Sequence, residues 1–446
     1  MSLINAISAI GNNSSIYPLI VRDCGIEGPV KIIQNYNQTA KDSKRMATHV
    51  AREKTIDEYL TTAVWIGGVP AVEWVANKII KKKNSLNGNV SLKLLDKDSK
   101  GNYKNPLQNI EINIKKFKEK APEAVKDLIE IKANPQKYKS LSNKKMAFAL
   151  AIPIAIMGYV LPKANYALTN YLVDKDIKSG KLIKKDSQKI DSIAKRPQST
   201  NFQSLNSIKT NNVSFKGLGS TIASLSQTGK MAVTDIGLAG GRVATARGIN
   251  EKTEKAYYAA GMFAFNFITP KYIEKGLDKL TKKIFGLDTA LDPKIMVDKR
   301  FLASIRANKL ELPKAETEVL DYIDNNPKSI LAKYAKKNKI VEFLNNEVRD
   351  PRKFVDTKKL FSLSEDMKDF ATQATNSNQG VIKYAKKAVK AKSFNIVANV
   401  GISCALLAVA LPQSMFILRK IISGSSVDPG LIAAKKSEQN KLKIKG

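Results

Sequence analysis

The chain is poor in the residues that handle metals and thiol chemistry. Among its 446 residues are one histidine and two cysteines. Cys24 and Cys404 cannot build a disulfide framework, and a lone His49 leaves no His-Cys cluster for zinc. Cys404 lies inside an apolar run, where a small polarisable side chain is ordinary packing, and no basic cluster adjoins Cys24 to activate its thiol. His49 falls in a charged helical pattern and reads as a surface residue. The sequence also lacks a Walker A loop, a G-x-S-x-G elbow and a dinucleotide-binding fingerprint. One loop, Asp96–Leu107, places Asp96, Asp98 and Gly101 in EF-hand register. Lys100 and Leu107 occupy its fifth and twelfth positions, so the bidentate acid is missing and the loop reads as a turn. No catalytic, cofactor-binding or metal-binding residue is assigned, and an enzyme is not expected.

Acidic residues are scarce as well. There are 40 against 75 Lys and Arg, for a formal net charge of +35. Such an excess calls for an anionic partner, either lipid headgroups or nucleic acid. The Arg-aromatic interleaving of base-stacking modules is missing, which argues against nucleic acid. The N-terminus has no basic segment ahead of a sustained apolar core, so no cleaved signal peptide is expected and insertion would rely on an internal helix.

What the chain does have is apolar helix. Ser393–Leu418 runs for 26 residues without a formal charge, between Lys392 and Arg419. About 20 apolar residues cross a hydrocarbon core of roughly 30 Å, so this run is long enough to span. Three shorter segments resemble it: 59–72, 146–162 and 256–270. Segments 59–72 and 256–270 are short enough either to span or to re-enter, and Gly67, Gly68 and Pro70 interrupt the first. Tyr159, Tyr166 and Tyr171 suit an interfacial belt.

These segments divide the chain. Residues 1–58 read as a polar segment and a solvated helix, with turn-forming glycines in Val21–Pro29. Residues 59–173 form a first helical hairpin around a basic spacer, 81–145, in which Asn89–Leu95 and Asn109–Ile114 alternate like the strands of a small hairpin. Residues 174–229 are a polar linker. Residues 230–422 form a second hairpin around a basic helical spacer, 292–392, and 423–446 is a tail too polar to fold. The fold class is mainly α: a helical membrane protein of two duplicated hairpins with basic extramembrane spacers.

The duplication rests on matched order. Val21-x-Asp23-x-Gly25-Ile26-x-Gly28 recurs as Val233-x-Asp235-x-Gly237-Leu238-x-Gly240. Glu53-Lys54-Thr55 recurs as Glu251-Lys252-Thr253, and both triplets are expected to open a helix. An apolar run broken by proline follows in each half (Pro70, Pro270), then a longer one carrying Leu-Pro (Pro162, Pro412). The spacing from Thr to proline differs by two residues, which one irregularity near Gly67-Gly68 would absorb. Each proline should disturb its helix, since it lacks an N–H and crowds the carbonyl one turn back.

Three acids stand out. Glu73, near membrane depth, is either a snorkelling boundary residue or a buried functional acid. Asp23 and Asp235 are singled out as the matched heads of the two units. Gly237–Arg242 reads as a simple turn, with an anion-binding nest as the alternative. The leading functional reading is a multi-pass membrane protein with a structural or interaction role, contacting anionic lipid headgroups or an acidic protein partner. A transporter- or channel-like protein is the alternative, and it would require a polar cavity among the helices. A basic nucleic-acid-binding protein comes third. Lys and Arg near the apolar segments place both spacers on the cytoplasmic side, with the N-terminus, linker and tail opposite.

Overall fold

The computed structural model describes residues 3–11, 20–41, 43–84, 90–180, 227–424 and 428–430. The polar linker falls largely in 181–226 and the tail largely in 431–446, both outside the described residues. The molecule is mainly helical, with 79% helix and 2% strand.

Four long helical rods organise it: α3 (44–84), α6 (Pro135–Lys178), α8 (249–285) and α14 (Val381–Ser423). The 44 residues of α6 extend about 66 Å, twice a hydrocarbon core. Each rod contains one π-helical segment: Val64–Gly68, Ile156–Val160, Ala264–Ile268 and Leu406–Ala410. Every one ends two residues before a proline, at Pro70, Pro162, Pro270 and Pro412. The carbonyl that each proline ring would crowd belongs to Ile66, Gly158, Asn266 or Ala408, in the middle of the widened turn. The extra residue of the π turn accommodates the ring and the missing N–H. Both 64–68 and 264–268 carry this irregularity, so it does not account for the two-residue difference in spacing.

Two shorter helices accompany the rods, α2 (Gly28–Ala40), entered through the π-helical turns Ile20–Glu27, and α7 (Gln227–Ala244). The stretches read as glycine turns, Val21–Pro29 and Gly237–Arg242, are therefore helical, and there is no anion nest at the second. Its glycines serve packing instead. A Cβ on Gly241 would lie 2.7 Å from Gly158 Cα, so α7 and the π segment of α6 meet backbone to backbone. The partnership is reciprocal. Helix α7 packs on α6 and its π segment, while Ile20–Glu27 and α2 pack on α14 and its π segment.

The spacers fold together. Helices α4 (Ile110–Phe117) and α5 (Pro122–Ala133) of the first meet the second, which runs through α9 (Pro293–Met296), α10 (Lys299–Arg306), α11 (Val319–Asn325), α12 (Ile330–Lys337) and α13 (Thr357–Asn376). Strands β1 (Phe343–Leu344) and β2 (Val348–Arg349) pair antiparallel, Phe343 opposite Arg349. Asn113 Nδ2 donates to Pro351 O at 2.9 Å, and Arg352 Nη1 reaches Asp127 Oδ2 at 2.6 Å. The expected hairpin in the first spacer is not formed. Leu92–Leu95 is a 3-10 turn and Ile110–Phe117 an α-helix capped by Asn109, because the alternating residues pack inward on Leu128, Ile131 and Tyr138. Around Asp98 the chain does turn, its Oδ1 accepting from Lys100 and Asn102 N–H.

Two chain ends differ from expectation. Helix α1 (Leu3–Gly11) sits at the spacer end of the bundle, with Ser8 Oγ donating to Asp292 at 2.8 Å and Ile4 against the spacer core. Helix α7 likewise begins at that end, where Lys230 Nζ lies 3.6 Å from Glu73 Oε2. It runs down to place Arg242, and Arg247 just past its end, against Asp57 and Glu53 in the first turns of α3. Rod α6 finishes at the far end, Asp176 against Arg45. Each half therefore contributes three helices to the bundle rather than two, and helix α1 does not lie opposite the spacers.

The bundle buries charged groups alongside apolar ones such as Met157, Leu407 and Phe416. The spacer core is apolar, with Phe301, Phe370 and Leu331 fully buried. In the bundle, Glu27, Lys31, Asn35, Thr39, Glu254 and Arg419 are buried, while Ile33, Trp74, Phe148, Phe394, Ile417 and Ile421 are exposed. Two helices, α6 and α14, are long and apolar enough to cross a membrane, and their apolar windows are only 44% and 39% buried. The core helix of a soluble protein would be mostly covered.

Candidate functional site

Between the halves lies a cavity of about 560 Å³. Its wall is supplied by α2, α3 and α6 of the first half and α7, α8 and α14 of the second. Charged side chains share the lining with apolar ones, among them Ala259, Ala260, Met262 and Phe263 of α8. Pro162 and Pro412 both line it, so the π-proline units of α6 and α14 both contribute to the wall.

The charges stand on helical faces at four-residue spacing. Glu53 and Asp57 share a face of α3, Glu251 and Lys255 a face of α8, and Glu27 and Lys31 a face at the start of α2. Glu53 and Glu251, the matched acids of the two sequence triplets, converge on one arginine. Arg247 Nη2 lies 3.1 Å from Glu53 Oε1 and 3.3 Å from Glu251 Oε1, and its guanidinium stacks 4.0 Å from the Tyr166 ring centroid. Glu251 also accepts the Arg247 backbone N–H at 2.6 Å, closing the first turn of α8. Glu251 thus opens its helix as expected, whereas Glu53 stands in the interior of α3, well past the cap at Ser43.

Three further pairs stand in or beside the wall. Arg242 Nη2 donates to Asp57 Oδ1 at 2.7 Å and to Thr61 Oγ1 at 3.0 Å, tying α7 to α3. Lys31 bonds Glu27, stands 3.8 Å from Glu58 and lies over the Tyr258 ring, linking α2, α3 and α8. Arg419, fully buried, donates through Nε and Nη2 to both Glu254 oxygens at 2.9 and 2.5 Å and stands 3.7 Å from Asp428. Buried charges satisfied in this way fix the relative placement of helices.

The three acids singled out in the sequence divide. Asp235 lines the cavity. Asp23 lies beside it, near enough for its charge to act on Asp235, and is bonded to Arg22 Nε at 2.7 Å outside the wall. Glu73 is away from the cavity. It stands toward the spacers, 3.4 Å from Lys145 and 3.6 Å from Lys230, and neither snorkels alone nor serves as a lone buried acid. The second half has a counterpart, one residue farther from its proline than Glu73 is from Pro70. Glu274, four past Pro270, pairs with Lys392 at 3.1 Å.

His49 is not at the surface. It is buried between α3 and α6, with Nε2 at 2.8 Å from Asp176 Oδ2, and Arg45 holds the same carboxylate. No group of three or more metal-ligating side chains occurs among the described residues. The sequence pointed to few cavity residues, because charges flanking a short apolar run read as solvated. The missed signal is their four-residue spacing on both matched helices, which builds a single charged stripe per helix. Comparison of the chain with protein-family models, with curated proteins and with solved structures finds no match.

Proposed function

We propose that this chain is an integral membrane protein of the carrier type, built from two related three-helix units that hold a solute in the cavity between them. The observation that carries the reading is the cavity at the junction of the halves, lined by charged as well as apolar side chains, within a bundle that exposes large apolar side chains. A polar cavity between repeats is what a transporter-like protein requires and what the sequence did not disclose. The order short helix, rod, spacer, rod in each half supports a common origin, as do the four π-proline units and the meeting of Glu53 with Glu251. Related units packed reciprocally about a central site are suited to rock against each other, and π segments beside prolines are places where helices yield. The structural role contacting anionic lipid then belongs to the basic surfaces at the ends of the bundle, where headgroups are the proposed partner.

A solute path must be reachable from both sides. In a Cys24→Ser, Cys404→Ala background, a cysteine at Ala239 of the cavity wall should react with a membrane-impermeant thiol reagent added to either face of sealed vesicles. Reaction from one face alone would make the cavity a receptor-like pocket and overturn the carrier reading.

A further inference from the structure

We infer that the cavity takes an organic cation, an aliphatic amine or diamine with an ammonium group at Asp235 and its carbon chain on the apolar part of the wall. This rests on the carrier reading for its biological sense, though not for the binding itself.

The sum of the charges decides the ligand's sign, because the cations of the wall are shared among several acids. Lys54, for example, feels Asp428, Asp57, Glu254 and Glu53 together. Seven carboxylates and four cationic side chains line the cavity. Three arginines stand directly behind it, Arg247 and Arg419 paired with acids of the wall and Arg22 with Asp23 and Glu27. Glu27 pairs in turn with Lys31 of the wall. Among the described residues no ion pair joins this set to a group outside it, and it holds nine acids against seven bases. Arg52 also acts on Glu53 but donates to Thr169, and counting it still leaves one acid over. The excess is negative in a chain whose net charge is +35. Carboxylates in excess, held between helices, are costly to leave unbalanced. A cationic solute balances them, and an anionic one adds to the excess.

Asp235 is where the ammonium belongs. It lines the cavity and, among the described residues, forms no ion pair or hydrogen bond. The charges that act on it come from Asp23, Arg242, Arg22 and Glu27. Both arginines are committed at short range, Arg242 to Asp57 and Arg22 to Asp23, each at 2.7 Å. Asp23 and Glu27 have the same sign as Asp235, so they add to the attraction a cation meets there. The rest of the wall favours an organic cation over a bare ion. Ile236 and Leu238 of α7 and Ala259, Ala260, Met262 and Phe263 of α8 offer apolar surface in the same cavity. Its volume of about 560 Å³ is far more than a dehydrated metal ion fills. Among the described residues no three acids gather closely enough to hold such an ion, which takes six or more oxygen ligands. An alkyl chain covers the apolar wall while its ammonium meets the carboxylates.

The test is calorimetric titration of the purified full chain in detergent with pentylamine and the diamine cadaverine, against pentanoate and glutarate, which keep the carbon chain and reverse the charge. The amines should bind, and the two acids should bind at least tenfold more weakly. Asp235→Asn should weaken amine binding at least tenfold, whereas Glu111→Gln, which removes an exposed acid of the spacer unit, should leave it unchanged. Asparagine keeps the volume of Asp235 and removes a charge that Asp23 repels, so the variant should fold. Failure of both amines to bind, equal binding of amines and acids, or an equal effect of the two substitutions would overturn the inference. Displacement of the amines by sodium or potassium at the same concentration would assign the carboxylates to an inorganic ion and overturn it too. Amine binding without two-sided access at position 239 would leave the ligand class standing and remove the carrier. Two-sided access without amine binding would remove the ligand class alone.

Discussion

Arg419→Met should cost about 3–5 kcal/mol of stability, the usual penalty for removing one partner of a buried ion pair. Arg419 has no exposed surface and bonds both oxygens of Glu254, with Asp428 at 3.7 Å. Methionine fills much of the same volume, so the loss comes from two carboxylates left in a low-dielectric setting rather than from a void. Adding Glu254→Gln should recover part of the loss, because only one stranded charge then remains. Thermal unfolding in micelles reads both effects. If the single variant melts like the parent, Arg419 is not the buried partner of Glu254 described above.

The second large effect is steric. Gly241→Val should separate the halves, with a loss of about 3 kcal/mol or more, at the upper end for overpacking. The added Cβ would lie 2.7 Å from Gly158 Cα and 2.8 Å from its C and O. Those are backbone atoms of a π segment, and they cannot rotate aside. Its neighbour is the control. A Cβ on Gly240 meets nothing within 4 Å, so Gly240→Ala should be neutral or stabilising by up to about 1 kcal/mol. Equal effects at the two glycines, read as unfolding midpoints, would mean that α7 does not meet the π segment there.

Much of the helical plan was legible because apolar period and length depend only on local sequence. The run at Ser393–Leu418 lies wholly within α14, and the four prolines pointed to four disturbed turns. The cavity was not legible. A charged residue beside an apolar run has two physical readings, solvated boundary or buried wall, and neighbouring residues do not choose between them. Helices from the other half do. Glu53 becomes a wall residue through Arg247, and Lys31 through Glu58 and Tyr258. His49 turned inward for the same reason, since Asp176 lies 127 positions away. Glycine was misread because its two uses, tight turns and close helix contact, look identical in sequence. The path of the third helix in each half was missed because charges at Arg22, Asp23, Glu27 and Lys31 mask a helix whose outer face, at Ile26 and Ile33, is apolar.

The most direct measurement is the sidedness of the two ends of the bundle. Lys126 is exposed on the spacer unit, and Ser179 is exposed just past the far end of α6. In the cysteine-free background, Lys126→Cys and Ser179→Cys are each labelled with an impermeant thiol reagent in sealed vesicles. A bundle that spans the bilayer predicts that the two sites react from opposite faces, with the detergent-opened sample reacting at both. Labelling of both from the same face would contradict it, and the apolar outer surface would then have to be covered by something other than lipid.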